Sequence, residues 1–151
     1  MSTGDWSESD EPEIGARCLK LCREVIWNAN DPEAPYTLRG VIQSLRPRTG
    51  YPTYLAQPVH LYAEFFGEAG ERDVWFDLVR LVFDADGDLA DEVEETVFGP
   101  FSLNLTPNLF VQGRWYVLRR VPFPAAGLYE FRLRIAGVSA PLIAERVQLE
   151  E

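Results

Sequence analysis

The sequence predicts an all-β chain, one antiparallel β-sandwich domain of eight or nine strands, with a barrel as the second architecture. Three observations carry that expectation. At 128–136, Tyr129, Phe131, Leu133 and Ile135 interleave with Glu130, Arg132 and Arg134, and a two-residue period is that of a half-buried strand. Segments of similar length recur along the chain, with Pro, Gly, Asn and Asp between them. The Pro/Gly-rich run 122–127 also leads into the 128–136 strand through Gly127-Leu128-Tyr129. That pattern fits a sandwich corner, where a tyrosine hydroxyl ties down the preceding loop.

The remaining elements follow in chain order. Residues 16–27 carry two patterns: Cys18, Leu21, Cys22 and Val25 at helical spacing, or Leu19, Leu21, Val25 and Trp27 along one face of a strand. A strand is expected, because an Asn/Asp/Pro turn follows at once. Residues 36–46 read as a strand that stops at Pro47. Residues 59–66 place Val59, Leu61, Ala63 and Phe65 on one face and His60, Tyr62, Glu64 and Phe66 on the other. Residues 73–83 are apolar on both faces and change phase near Leu78, as a central strand or a bulge would. Further strands are expected at 92–98, 101–105, 114–121, 128–136 and 142–149.

A chain of 151 residues with 46% hydrophobic and 13% aromatic content supports one core, burying roughly 68–70% of the unfolded surface. The expected division is an acidic flexible tail over 1–13 and a sandwich domain over 14–151. The tail holds five acids and no base, half of the net charge of −10, and acidic, serine-rich ends stay solvated. Trp6 is the tail residue able to anchor it. No basic and apolar leader opens the sequence, and no apolar run approaches the ~20 residues of a membrane span. Cys18 and Cys22 in one strand would lie roughly 13 Å apart, beyond the ~7 Å a disulfide tolerates. Free thiols suit a reducing compartment, and the cytoplasm is the expected location.

The strongest chemical candidate is Asp84, Asp86 and Asp88 with Glu95, because calcium loops draw carboxylates from positions 1, 3, 5 and 12. Position 6, normally glycine, is Leu89, and the flanks read as strands. Asp86-Gly87 is a hairpin signal, and the hairpin is the expected reading. A weak cation site built from Asp84, Asp86, Asp88, Asp91 and Glu92 is the alternative. Glu92, Glu94 and Glu95 beside Asp91 are too close in sequence to define the two sides of a hydrolytic cleft. His60, the single histidine, has Tyr62 and Glu64 on its strand face and no nucleophile implied. Ser102 and Ser139 lie outside any nucleophile elbow. No Gly-rich phosphate loop opens a helix. No catalytic, cofactor-binding or metal residue is therefore assigned, and no cofactor is expected.

Residues 113–120 place Trp115 and Val117 on one strand face and Tyr116 and Leu118 on the other. With the outer face exposed, Tyr116, Arg114 and Arg120 would form a patch of the kind that anchors protein interfaces; the alternative is a central strand covered on both faces. The acidic balance argues against a nucleic-acid backbone, which needs a dense basic surface.

The order Leu19-Lys20-Leu21-Cys22, Tyr36-Thr37-Leu38-Arg39-Gly40-Val41-Ile42, Val82-Phe83-Asp84-Ala85-Asp86-Gly87, and Phe123 through Gly127-Leu128-Tyr129 resembles an uncharacterised family of small bacterial β-sandwich proteins over about 16–149. The resemblance implies an immunoglobulin-like or Greek-key sandwich in a bacterial cytoplasmic protein, and no site residue. The expected function is a non-enzymatic protein-interaction or structural module. Its expected partner is a protein, a homodimer through an open sheet edge included, with no nucleic acid and no membrane. The alternative is a small-molecule or carbohydrate binder, cation-dependent through the 84–95 loop.

Overall fold

β-branched and aromatic residues on a two-residue period fold here as eleven strands and no helix, within the residues that the computed structural model describes: 13–32, 35–107 and 111–151. The all-β expectation holds for them. Most of the expected acidic tail, Trp6 included, lies outside the described residues. No helix among the described residues is long and apolar enough to cross a membrane.

One sheet orders β2 (Tyr36–Val41), β1 (Ile14–Trp27), β5 (Val59–Gly67) and β8 (Gln112–Leu118). A second orders β3 (Ser44–Leu45), β11 (Ile143–Leu149), β10 (Gly127–Ile135), β6 (Gly70–Phe83) and β7 (Leu89–Leu105). A short ladder joins β4 (Thr53–Tyr54) to β9 (Pro122–Phe123). All pairings are antiparallel except β3 with β11.

Alternate residues of both large sheets meet in one core. Leu19, Leu21, Leu61 and Phe65 enter from the first sheet, and Phe76, Leu78, Phe131 and Leu133 from the second, all at most 3% exposed. The Phe76 and Tyr116 rings meet across the interface, centroids 5.4 Å apart. Burial of each such side chain contributes about 1.5–3 kcal/mol, so the two-residue period fixes which face turns inward.

The structure departs from the sequence expectation at definite places. The expected 36–46 strand is two strands in different sheets. Gly40 takes a left-handed φ of 64°, Ile42 turns into the core, and the chain crosses to the second sheet as β3. The expected strands 92–98 and 101–105 are one strand, β7, running through Gly99-Pro100. β7 lies at the sheet edge, where a proline's missing N–H breaks no ladder, and the register shifts opposite, between Val74 and Phe76. The phase change near Leu78 is present as a register shift between Leu78 and Val79. β1 is a strand as expected, but a bulge between Ala16 and Cys18 interrupts it near its start, Cys22 is buried on its other face, and Trp27 is 66% exposed.

Candidate functional site

The tyrosine foreseen as a corner residue organises one end of the fold. Tyr129 is fully buried; its hydroxyl donates to the Ala125 carbonyl at 2.6 Å and accepts the Ala125 N–H at 3.3 Å. Its ring stands edge-on to Phe123 at 5.0 Å. The 122–127 loop is therefore pinned, and β9 with it. Through the pairs Thr53 with Phe123 and Tyr54 with Pro122, and the Leu55 N–H to the Val121 carbonyl at 2.9 Å, β4 is fixed on the same support.

Between β4, β9 and the 46–52 loop lies a groove of about 210 Å³. Leu45, Leu55, Phe123 and Leu149 form an apolar lining, and Arg46, Arg48 and Tyr54 complete it with charge and an aromatic ring. Tyr54 is 54% exposed, and the Arg120 guanidinium lies over its ring, 5.2 Å from the centroid. Arg120 holds this place from a left-handed backbone, φ 56°. Next to the groove, the Tyr51 hydroxyl donates to the Glu150 carbonyl. Burial, then the charges of Glu151 and Glu150, push the Tyr51 phenol upward against the pull of Arg46.

Arg46 and Arg48 of the groove, and Arg120 over Tyr54, have no acid partner among the described residues. Residues 34–63 and 96–129 contain no Asp or Glu but six arginines: Arg39, Arg46, Arg48, Arg114, Arg119 and Arg120. Among the described residues none of these six is in an ion pair, whereas Arg17, Lys20, Arg72, Arg80, Arg132, Arg134 and Arg146 all are. The pairing of β4 with β9 brings the two acid-free segments together. Sequence reasoning missed this site because a single net charge averages over it. A count of acids segment by segment exposes the signal.

The other candidates resolve into structural roles. The 84–88 segment is the expected hairpin turn: one Asp84 carboxylate oxygen accepts the N–H groups of Asp86 and Asp88, both at 2.9 Å, and Gly87 supplies φ 84°. Glu92 receives both Arg132 nitrogens, at 2.8 and 3.2 Å, and Glu95 pairs with Arg80 at 3.3 Å. No group of three or more His, Cys, Asp or Glu side chains among the described residues could hold a metal ion. His60 Nδ1 faces the Arg23 carbonyl oxygen at 3.1 Å. Burial pushes both the Cys18 and Cys22 thiols upward. Ser102 sits exposed on β7, and the Ser139 carbonyl accepts from Arg134 at 2.9 Å.

The Tyr116 patch needs correction. Tyr116 is a core residue, and burial pushes its phenol up to about 12. The exposed members of β8 are Trp115 and Val117, each 39% exposed. Strand parity explains the exchange: Tyr116 pairs with core-facing Leu61, and Trp115 with Tyr62 on the opposite face. Arg114 is committed to the Asn104 carbonyl at 2.9 Å, and Arg120 lies over the Tyr54 ring.

No family model and no curated protein matches this chain. Among solved structures, the Pseudomonas fluorescens alkylpurine DNA glycosylase AlkC, bound to DNA containing an abasic site analog, is similar at 12% identity with a TM-score of 0.43. The match covers 93% of this chain and 31% of that one, so this chain spans about a third of the length of the glycosylase. At that score the likeness lends it no residue, reaction or ligand. The matched structure is a DNA complex, which does not agree with the expected partner set of a protein with nucleic acid excluded, and at this score it decides no partner. The expected interaction or structural module, and its small-molecule or carbohydrate alternative, are withdrawn with it. The net charge of −10 is unevenly spread, since residues 34–63 and 96–129 hold six arginines and no acid.

Proposed function

We propose that this chain is a nucleic-acid-binding module whose arginines beside the groove between β4, β9 and the 46–52 loop hold the phosphate backbone. The observation that carries the reading is a set of arginines in no ion pair among the described residues: Arg46 and Arg48 in the groove lining, and Arg120 over the exposed Tyr54 ring. Arginine is the residue that recognises phosphate with a planar fork of donors, and backbone neutralisation supplies most of non-specific nucleic-acid affinity. Glu150 and Glu151 adjoin the groove beside Tyr51 and oppose Arg46 there. At 0.15 M salt the Debye length is about 8 Å, so a bound phosphate feels chiefly the charges it touches.

The finer features fit the same reading. The Tyr129 corner supports an immunoglobulin-like, Greek-key arrangement of the strands, in keeping with the resembled bacterial sandwich family. The two free thiols support a reducing, cytoplasmic setting. The chain binds its ligand and does not convert it.

Fluorescence anisotropy of labelled DNA and RNA oligonucleotides at 50 and 200 mM salt tests the function. Binding is expected to weaken with salt, and Arg46→Gln, Arg48→Gln and Arg120→Gln each to reduce the log–log slope by roughly 0.7–0.9. Absence of binding at 50 mM salt, or wild-type affinity in the triple variant, overturns the proposal.

A further inference from the structure

Resting on that reading, we infer that the groove takes a single unpaired base, so the preferred ligand is a single-stranded nucleic acid with one base laid against Tyr54. The form of the site points there. Its exposed lining is mixed: Leu45, Leu55 and Tyr54 stand beside Thr53, Arg46 and Arg48, over the buried core. Leu45, Leu55 and the Tyr54 ring offer an apolar contact that phosphates alone would not use. At about 210 Å³ the groove is smaller than the roughly 300 Å³ at which small-molecule pockets begin. That size suits one flat ring and not a whole nucleotide cofactor.

Tyr54 adds the recognition surface. Single-strand binding sites join a cationic track for the backbone to aromatic rings on which bases stack, with arginine contributing through cation–π contact. Tyr54 is already stacked under Arg120 and still more than half exposed, so ring and guanidinium form one preassembled platform. The platform sits on the ladder that the Tyr129 corner fixes, so little ordering is left for the binding step. A duplex keeps its bases inside and would have to unstack one to reach Tyr54, at a cost of a few kcal/mol.

The test compares three probes on the full chain at 200 mM salt: a thymidine strand of about 12 nucleotides, a duplex of equal length, and inorganic polyphosphate, which has the charge without the bases. The strand is expected to bind tightest. Tyr54→Leu is expected to weaken the strand roughly 5- to 100-fold, the range of one lost base–aromatic stack, and to weaken polyphosphate less, with circular dichroism and thermal melting checking that the variant is folded. Tyr54→Phe keeps the ring and is expected to keep the affinity. Strand binding within two-fold of wild type in Tyr54→Leu, or a duplex bound as tightly as the strand, overturns this inference and leaves the phosphate reading standing. No binding of any probe at 50 mM salt overturns both.

Discussion

Tyr129 and Arg120 hold the groove end in opposite energetic senses. Tyr129 is fully buried with both hydrogen-bonding roles of its hydroxyl spent on Ala125. Tyr129→Ala should cost on the order of 3–5 kcal/mol in chemical denaturation, the usual range for truncating a large buried aromatic. Tyr129→Phe keeps the ring and leaves the Ala125 carbonyl and N–H unpartnered, so about 1–3 kcal/mol is expected. A loss below 1 kcal/mol for the alanine variant would mean that the corner is not what pins 122–127. Arg120 is held in a conformation that side chains avoid, at φ 56°, which costs roughly 1–2 kcal/mol in any residue with a Cβ. Arg120→Ala keeps that strain and loses the stack on Tyr54, whereas Arg120→Gly loses the stack and the strain. The glycine variant should therefore be the more stable of the two by about 1 kcal/mol, and both should bind oligonucleotides less tightly than wild type. Equal stabilities would place Arg120 in an ordinary backbone conformation.

At the level of strands, the start of β1 is clamped to the middle of β5 by one carboxylate. Glu64 accepts Arg17 Nε at 2.8 Å on one oxygen and the Tyr62 hydroxyl at 2.8 Å on the other. Burial pushes the Glu64 carboxyl upward, but the hydrogen bonds from Arg17 and Tyr62 outweigh it and hold the group below the ordinary carboxylate range. A depressed folded value stabilises the protein above the unfolded value of about 4.3, and that contribution is lost as pH falls through the folded value. Glu64→Gln should therefore be less stable than wild type at neutral pH and converge with it in acid. Parallel acid-denaturation curves would remove Glu64 from the clamp. Strands of this kind were legible in the sequence: β5 and β10 alternate cleanly because one face of each meets the core. The split of 36–46 into β2 and β3 was not, since Gly40 and Ile42 look the same in a continuous strand as in one that changes sheet. The sequence of β7 reads as two strands because Gly99-Pro100 is a breaker away from a sheet edge, and edge position is a property of the assembled sheet. The groove was half legible, its arginines visible as acid-free segments, but only the pairing of β4 with β9 brings Tyr54 and Arg120 within 5.2 Å.

Over the whole molecule, charge is segregated rather than diluted. All 24 acids lie outside 34–63 and 96–129, and the net charge of −10 is a sum over regions that a bound strand would meet separately. The overall field should govern the approach of a polyanion, and the local arginines its retention, because long-range steering acts on association rates and is screened by salt. Deletion of residues 1–12 removes four acids and leaves a net charge of −6 while leaving β1, which begins at Ile14, intact. Stopped-flow association with a single-stranded oligonucleotide should then be several-fold faster than for the full chain at low ionic strength, about 10 mM, where the Debye length is ~30 Å. The difference should vanish at 0.15 M, where that length falls to ~8 Å, and dissociation rates should match throughout, since the groove contacts are the same in both proteins. A deletion that instead slowed dissociation at 0.15 M would mean that the tail competes for the groove directly, and the acids of 1–12 would then act as a bound ligand rather than as part of a distant field.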